Sequence, residues 1–372
     1  MKISSLLPLL FLLQVVFVTP AMGQESQDQN WPGPVSLSGL FYLTYEMGEE
    51  GGEDINRFFV NRAYLTARVN VLPNLSARIT LDPSQDLEGD GRGDMEVRVK
   101  YAYAKYDFGD VGQLTGIGLE GGIVHMVWLD FEEHINLYRM RDPMFMERSG
   151  MFNSADFGAT LTAGLGEDLP EEYRETVGSS YAQRYGSVAL GIYNGGGYHG
   201  DERNTNKVLQ GRLTLRPLPD VLPGLQVSGL GIMGKGNREG SGDELPDWDV
   251  FNLFLSYQHA GGALTAQFTT GEGNQRGAWV EPEDPSLATD FHGFAFFGEQ
   301  YLGSSPWRVV AGLDRMNRTP GDTDLSFNRV HGGIGYDLGN SNILLFDLDY
   351  RNWDDDERPA DTRLQVVMQV KF

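Results

Sequence analysis

Residues 363–372 run Arg-Leu-Gln-Val-Val-Met-Gln-Val-Lys-Phe, and the fold is decided there. Leu364, Val366, Met368, Val370 and Phe372 alternate with Arg363, Gln365, Val367, Gln369 and Lys371. Successive side chains of a strand point to opposite faces, so this strand has one apolar face and one mostly polar face. An isolated strand of this kind fits a β-sandwich as well as a membrane-spanning barrel. The rest of the chain has to choose between them.

The same alternation recurs upstream. Leu37, Gly39, Phe41, Leu43 and Tyr45 oppose Ser36, Ser38, Tyr42, Thr44 and Glu46. Ala63, Leu65, Ala67, Val69 and Val71 oppose Arg62, Tyr64, Thr66, Arg68 and Asn70. Leu75 to Leu81 repeats the pattern, and Val97, Val99, Tyr101 and Tyr103 oppose Glu96, Arg98 and Lys100. Further strands are predicted near 117–128, 157–165, 181–193, 207–216, 225–233, 249–259, 263–270, 291–301, 307–315, 327–338 and 343–352. The total is sixteen, an even number as bacterial single-chain barrels have. Segments 181–193 and 291–301 alternate least cleanly, which leaves fourteen or eighteen as alternatives.

The connections favour the barrel. Long ones (47–56, 82–95, 129–156, 194–206, 234–248, 271–290, 316–326 and 353–362) take turns with short ones such as Pro73-Asn74 and Gly339 to Asn342. A barrel gives that alternation, with loops at one rim and turns at the other. The acidic stretch 166–180 is too long for a tight turn and has no account at this level. Assigned this way, Tyr101, Tyr103, Tyr257, Trp307, Tyr336 and Phe372 form one lipid-facing aromatic girdle, and Tyr45, Phe59, Phe268 and Tyr350 the other. The predicted class is therefore all-β, a transmembrane antiparallel barrel.

Composition agrees. Lys2 precedes an apolar run from Leu6 to Val18, and Ala21 and Gly23 form a small-residue site. That is the layout of a signal peptide, residues 1–23, leaving 24–372 as a single barrel domain in the bacterial outer membrane. The run is too short to span a hydrocarbon core of about 30 Å as a helix. There is no cysteine, and a net charge of −23 argues against nucleic-acid partners.

From about Arg57 onward the chain resembles the phosphate-selective porin O/P family of outer-membrane channels. The matching stretches are Asn61-Arg62-Ala63-Tyr64-Leu65, Phe145-Met146-Glu147-Arg148-Ser149, Tyr193-Asn194-Gly195-Gly196-Gly197, and Gly211-Arg212-Leu213 before Arg216-Pro217. The resemblance implies a sixteen-stranded, homotrimeric porin whose third extracellular loop folds inward to narrow the pore. Here that loop is 129–156, which the spacing independently makes the third and longest. Its constriction candidates are Arg139, Arg141, Glu147 and Arg148. It contains no lysine, whereas phosphate-selective members line the constriction with lysines and an arginine ladder, so phosphate specificity does not carry over.

The expected function is passive diffusion of small solutes or ions through a water-filled channel, with outer-membrane lipids and lipopolysaccharide as surroundings. The strand register predicts twelve basic lumen residues: Arg62, Arg68, Arg78, Arg98, Lys100, Arg212, Arg216, Arg308, Arg329, Arg351, Arg363 and Lys371. Against them stand seven acids: Glu46, Asp82, Glu96, Glu120, Asp314, Asp347 and Asp349. The surplus of five positive charges, with Arg62, Arg68, Arg78, Arg98 and Lys100 on one arc, suggests a weak anion preference. A plugged structural barrel is the alternative. A rim hydrolase using His134, Asp142 or Glu147, and Ser149 is a further one.

Other motifs are weaker. Gly116 to Gly121 and Gly229 to Gly234 match the dinucleotide pattern, but neither opens a helix in a βαβ unit. Asp86, Glu88, Asp90 and Asp94 have the rhythm of a calcium loop, yet Val97 occupies the closing carboxylate position. They fit a solvated acidic loop better. The six histidines show no metal-ligand spacing, and no cofactor is expected.

Overall fold

The computed structural model describes residues 31–85 and 93–372. The proposed signal peptide and the calcium candidates Asp86, Glu88 and Asp90 lie outside the described residues. Asp94 is exposed just before a strand. Among the described residues no helix is long and apolar enough to cross a membrane.

Sixteen strands form one closed antiparallel barrel. They are β1 (Ser36–Glu50), β2 (Glu53–Leu72), β3 (Leu75–Gln85), β4 (Met95–Val111), β5 (Leu114–His125), β6 (Ala155–Leu165), β7 (Gly186–Tyr193) and β8 (Val208–Leu215). The second half comprises β9 (Leu225–Lys235), β10 (Asp247–His259), β11 (Gly262–Glu272), β12 (Asp290–Tyr301), β13 (Trp307–Arg318), β14 (Phe327–Gly339), β15 (Asn342–Trp353) and β16 (Asp361–Lys371). Each predicted segment corresponds to one strand. Closure is made by β1 and β16, with Leu43 opposite Met368, and Gly39 and Phe372 exchange backbone hydrogen bonds of 2.9 and 3.1 Å. The Phe372 ring lies over Gly39, where a Cβ would come within 2.3 Å of it, so only glycine leaves room.

Two β-bulges correct the girdle assignment. One separates Tyr42/Arg62 from Leu43/Val60, so Phe58 turns outward against Tyr45 and Phe59 turns inward beneath Arg57. The other falls at Lys100 and turns Tyr101 and Tyr103 into the lumen against His125. A bulge adds one residue to one strand and flips the inside-outside phase beyond it, which alternation counting misses. Outward aromatics near the rim with the chain termini are Tyr106, Tyr257, Trp307 packed on Tyr336, and Phe372.

Two connections also differ from expectation. Residues 47–56 are not a loop: β1 and β2 run on to a turn at Gly51 and Gly52, both with positive φ. Carboxylates such as Glu49 and Asp54 do not interrupt a ladder made by backbone groups. On the terminal rim, the 166–185 connection is the long one, and it carries a short helix, Glu171–Thr176.

Candidate functional site: a charged constriction inside the barrel

The 126–154 connection between β5 and β6 fills much of the lumen. It contains helices α1 (Leu129–Glu133) and α2 (Phe145–Arg148), with α3 being Glu171–Thr176 in the other long connection. The loop is apolar where a surface loop would be polar, and its burial explains why. Trp128, Leu129, Phe131, Phe145, Met146 and Met151 pack on inward-facing Tyr193, Leu230, Ile232, Phe254, Phe291 and Met316. Tyr138 and Met140 lie on a second cluster with Tyr42, Phe297, Leu345 and Val367. The loop therefore lies on the side of the lumen walled by β7 to β16 and closes back to Tyr42 on β1.

Charges fix the loop's tip. Asp142 accepts from Arg329 at 2.7 Å and from Arg363 at 3.5 Å, and Arg148 pairs with Asp314. Arg329 and Arg363 also share Asp349, and Arg141 stands 3.8 Å from Asp347. Burial opposes ionisation of Asp142, but Arg329, Arg148 and Arg363 hold its pKa below the ordinary carboxylate value. The ascending end is tied to the 273–289 connection, where the Asn274 amide donates to the Gly150 carbonyl at 2.9 Å. Glu132 sits beneath the loop, accepting from the Trp128 indole at 2.7 Å and from Gln267 at 3.2 Å. Burial raises it to about 7.

The loop divides the lumen arginines into two groups. Arg212, Arg216, Arg308 and Arg329 face inward but are covered, with 2%, 3%, 8% and 3% exposure. Arg308 pairs with Glu299 at 3.0 Å and with Asp337, and Arg351 with Asp361. Arg212 and Arg216 donate to backbone carbonyls and hydroxyls. On β2 to β4 the surroundings are different. Arg68 and Arg98 are exposed, and Arg62 and Arg78 are partly so. Arg68 lies directly opposite Arg78 across the β2–β3 ladder, an arrangement that costs stability unless something else offsets it. Among the described residues, Arg62, Arg68, Arg78 and Lys100 have no carboxylate within 4.0 Å, while Arg98 reaches Glu96 at 3.3 Å. Lys100 donates to the Tyr64 hydroxyl at 2.8 Å, and Arg78 stacks over the Tyr101 ring.

Acids on the loop answer this arc. Arg139 bridges Glu133 at 3.1 Å and Glu147. Burial works against ionised Glu147, but Arg139, Lys100 and Arg62 hold its pKa down. Burial likewise opposes ionised Asp130, yet His125, His134, the Tyr181 hydroxyl and Arg78 bring it down to about 2. Glu133 is raised, burial outweighing Arg139 and Lys100. The predicted constriction residues Arg139, Arg141, Glu147 and Arg148 thus sit inside the barrel, joined to partners the spacing did not name. The hydrolase set is not brought together: His134 hydrogen-bonds the Asp130 carbonyl, Asp142 binds arginines, and no hydrogen bond or ion pair joins either to Ser149.

A charged constriction inside a sixteen-stranded barrel is the architecture of outer-membrane porins, and comparison with solved structures agrees. OmpF of Salmonella typhi in complex with daunomycin aligns at a TM-score of 0.60 and 14% identity, covering 91% of this chain and 97% of that one. An anion-selective porin from Comamonas acidovorans aligns at 0.61 and 12%, covering 91% and 99%. The outer membrane channel DcaP of Acinetobacter baumannii aligns at 0.53 and 10%, covering 91% and 97%. At such identities the likeness establishes the fold, a porin-like barrel. No protein-family model and no curated protein matches the sequence.

Proposed function

We propose that this chain is a porin of the bacterial outer membrane, exported through a signal peptide cleaved after Gly23, through which small solutes and ions diffuse passively. The observation that carries it is the group of carboxylate-free arginines on β2 and β3, Arg62, Arg68 and Arg78, which stay in contact with water while the loop covers Arg212, Arg216, Arg308 and Arg329. A structural plug gains nothing from leaving Arg68 and Arg78 opposed and solvated, whereas an ion path does. The chain ends mark the periplasmic rim. Positive wall and negative loop face each other across the remaining passage, so the field runs across the pore. Anions follow the arginine side, with a weak overall anion preference. A homotrimer embedded among outer-membrane lipids and lipopolysaccharide is the assembly expected of such a barrel. The absence of lysine from the loop argues against phosphate selectivity.

Planar-bilayer recording tests this. Stepwise ohmic conductance is the expected result, and deleting residues 139–148 should enlarge each step. Absence of steps from a folded protein would favour the plugged barrel.

A further inference from the structure

On the periplasmic rim, the 166–185 connection folds back into the barrel. Residues 167–169 and 182–184 make a short ladder, with Leu169 N–H to the Ala182 carbonyl at 2.8 Å and Arg184 N–H to the Glu167 carbonyl at 2.7 Å. Beyond that ladder, helix α3 leads to Tyr181, a non-glycine residue with φ of +53°. That conformation is disfavoured for an L-residue, so the surroundings must hold it. They do so from several directions. The Arg216 guanidinium donates to the Tyr181 carbonyl at 3.1 Å, to the Gln183 carbonyl at 3.3 Å, and to the Pro223 carbonyl. The Tyr181 hydroxyl donates to the Asp130 carboxylate at 2.6 Å. Its ring packs edge-on against Phe131 at 5.2 Å and His134 at 5.4 Å. Arg212 lies over both the Phe131 and Tyr181 rings and donates to the Val127 carbonyl at 3.0 Å.

We infer that the 166–185 connection is a strut that holds the constriction loop from the periplasmic side, with Tyr181 as the positioning residue that fixes helix α1 and keeps Asp130 3.8 Å from His125, the neighbour of Arg78. This rests on the porin function proposed above. It accounts for three features at once: a long connection at a rim of short turns, two lumen arginines without carboxylate partners, and a strained tyrosine. The carbonyls that Arg212 and Arg216 satisfy belong to Val127 of the constriction loop, to the strut, and to the neighbouring turn. The two arginines thus lock loop and strut onto one wall.

The test compares Tyr181→Phe, Tyr181→Ala, Asp130→Asn and the double variant Tyr181→Phe/Asp130→Asn as full-length barrels in detergent and in planar bilayers. Heat-modifiable migration establishes that each barrel is closed. In Tyr181→Phe, amide exchange across 128–136 should rise about tenfold, the loss expected when a hydrogen bond to a charged group is removed. It should rise further in Tyr181→Ala, and open-channel noise should grow in the same order. The double variant should be no faster than its faster single parent, because Tyr181→Phe already removes the bond that Asp130→Asn only weakens. Wild-type exchange at 128–136 in both Tyr181 variants, or effects in the double variant that simply add, would overturn the strut. If Tyr181→Ala does not fold, Tyr181→Phe decides alone. If wild type gives no conductance steps, the porin function fails, while the exchange measurement still judges the strut.

Discussion

The triple change Arg62→Gln, Arg68→Gln and Arg78→Gln removes the three arginines of the arc that have no carboxylate partner. An ion passing about 6 Å from each guanidinium feels roughly 0.7 kcal/mol per charge in water-like dielectric. Screening over a Debye length of about 8 Å cuts that by about half, giving about 1 kcal/mol for the three together. Chloride permeability should therefore fall about fivefold and potassium permeability rise by about the same factor, so their ratio should fall roughly 30-fold, read as a shift of reversal potential toward cation preference under a potassium chloride gradient. Raising the salt should shrink the shift. Arg98→Gln serves as the internal comparison, because Glu96 at 3.3 Å already offsets its charge, and it should move the potential less than Arg68→Gln. Unchanged selectivity in the triple variant, with steps still present, would refute the arc as the ion path.

Four other substitutions follow from particular contacts. Asp142→Asn leaves Arg329 and Arg363 with Asp349 alone, so the loop tip should loosen by about 3 kcal/mol, the low end for breaking a buried pair, and closure should occur at lower voltage. Because the pKa of Asp142 is depressed, its contribution is present above the ordinary carboxylate range and is lost only as pH falls through that depressed value. Acid-induced noise should accordingly appear well below pH 4 and be absent from the variant's own baseline change. Glu132 has the opposite sign: with a pKa raised to about 7, its contribution is full below the ordinary carboxylate value and is lost as pH rises through 7. Glu132→Gln should flatten that alkaline loss in thermal unfolding followed by circular dichroism, and an unchanged slope between pH 5 and pH 8 would count against it. Gly39→Val should displace the Phe372 ring, and Phe372→Ser should remove it; both should lower the outer-membrane level of the protein without lowering its synthesis.

The strands were legible because period-two alternation is a local property, visible in any ten residues such as 363–372. What alternation could not show is where the phase slips. Asn61 and Lys100 look like ordinary strand residues, and only the partner strand reveals that each is the extra one. Tyr101 and Tyr103, assigned to a lipid girdle, consequently line the lumen. The β1–β2 pairing continues through the acidic stretch to Glu50 and Glu53 because nothing in a backbone ladder excludes Glu49 or Asp54.

The functional site was legible in kind and illegible in arrangement, and the arginines show why. In sequence Arg68 and Arg212 are equivalent: each is a basic residue at a polar position of an amphipathic strand. What separates them is the constriction loop, whose Val127 carbonyl, 85 residues before Arg212, takes its guanidinium, while nothing comparable covers Arg68. A signal was nevertheless present. Met126 to Phe131 is Met-Val-Trp-Leu-Asp-Phe, far too apolar for a surface loop, and such a segment must bury itself against an apolar patch of the lumen wall. That patch is made of Leu230, Ile232, Phe254 and Phe291, inward positions that break the polar-inside rule on β9, β10 and β12. Strands β2 to β4 break it less, keeping arginine, threonine and tyrosine inward. Matching the apolar loop to the apolar wall leaves the charged wall for water, so the side on which the passage lies follows from which strands violate the alternation.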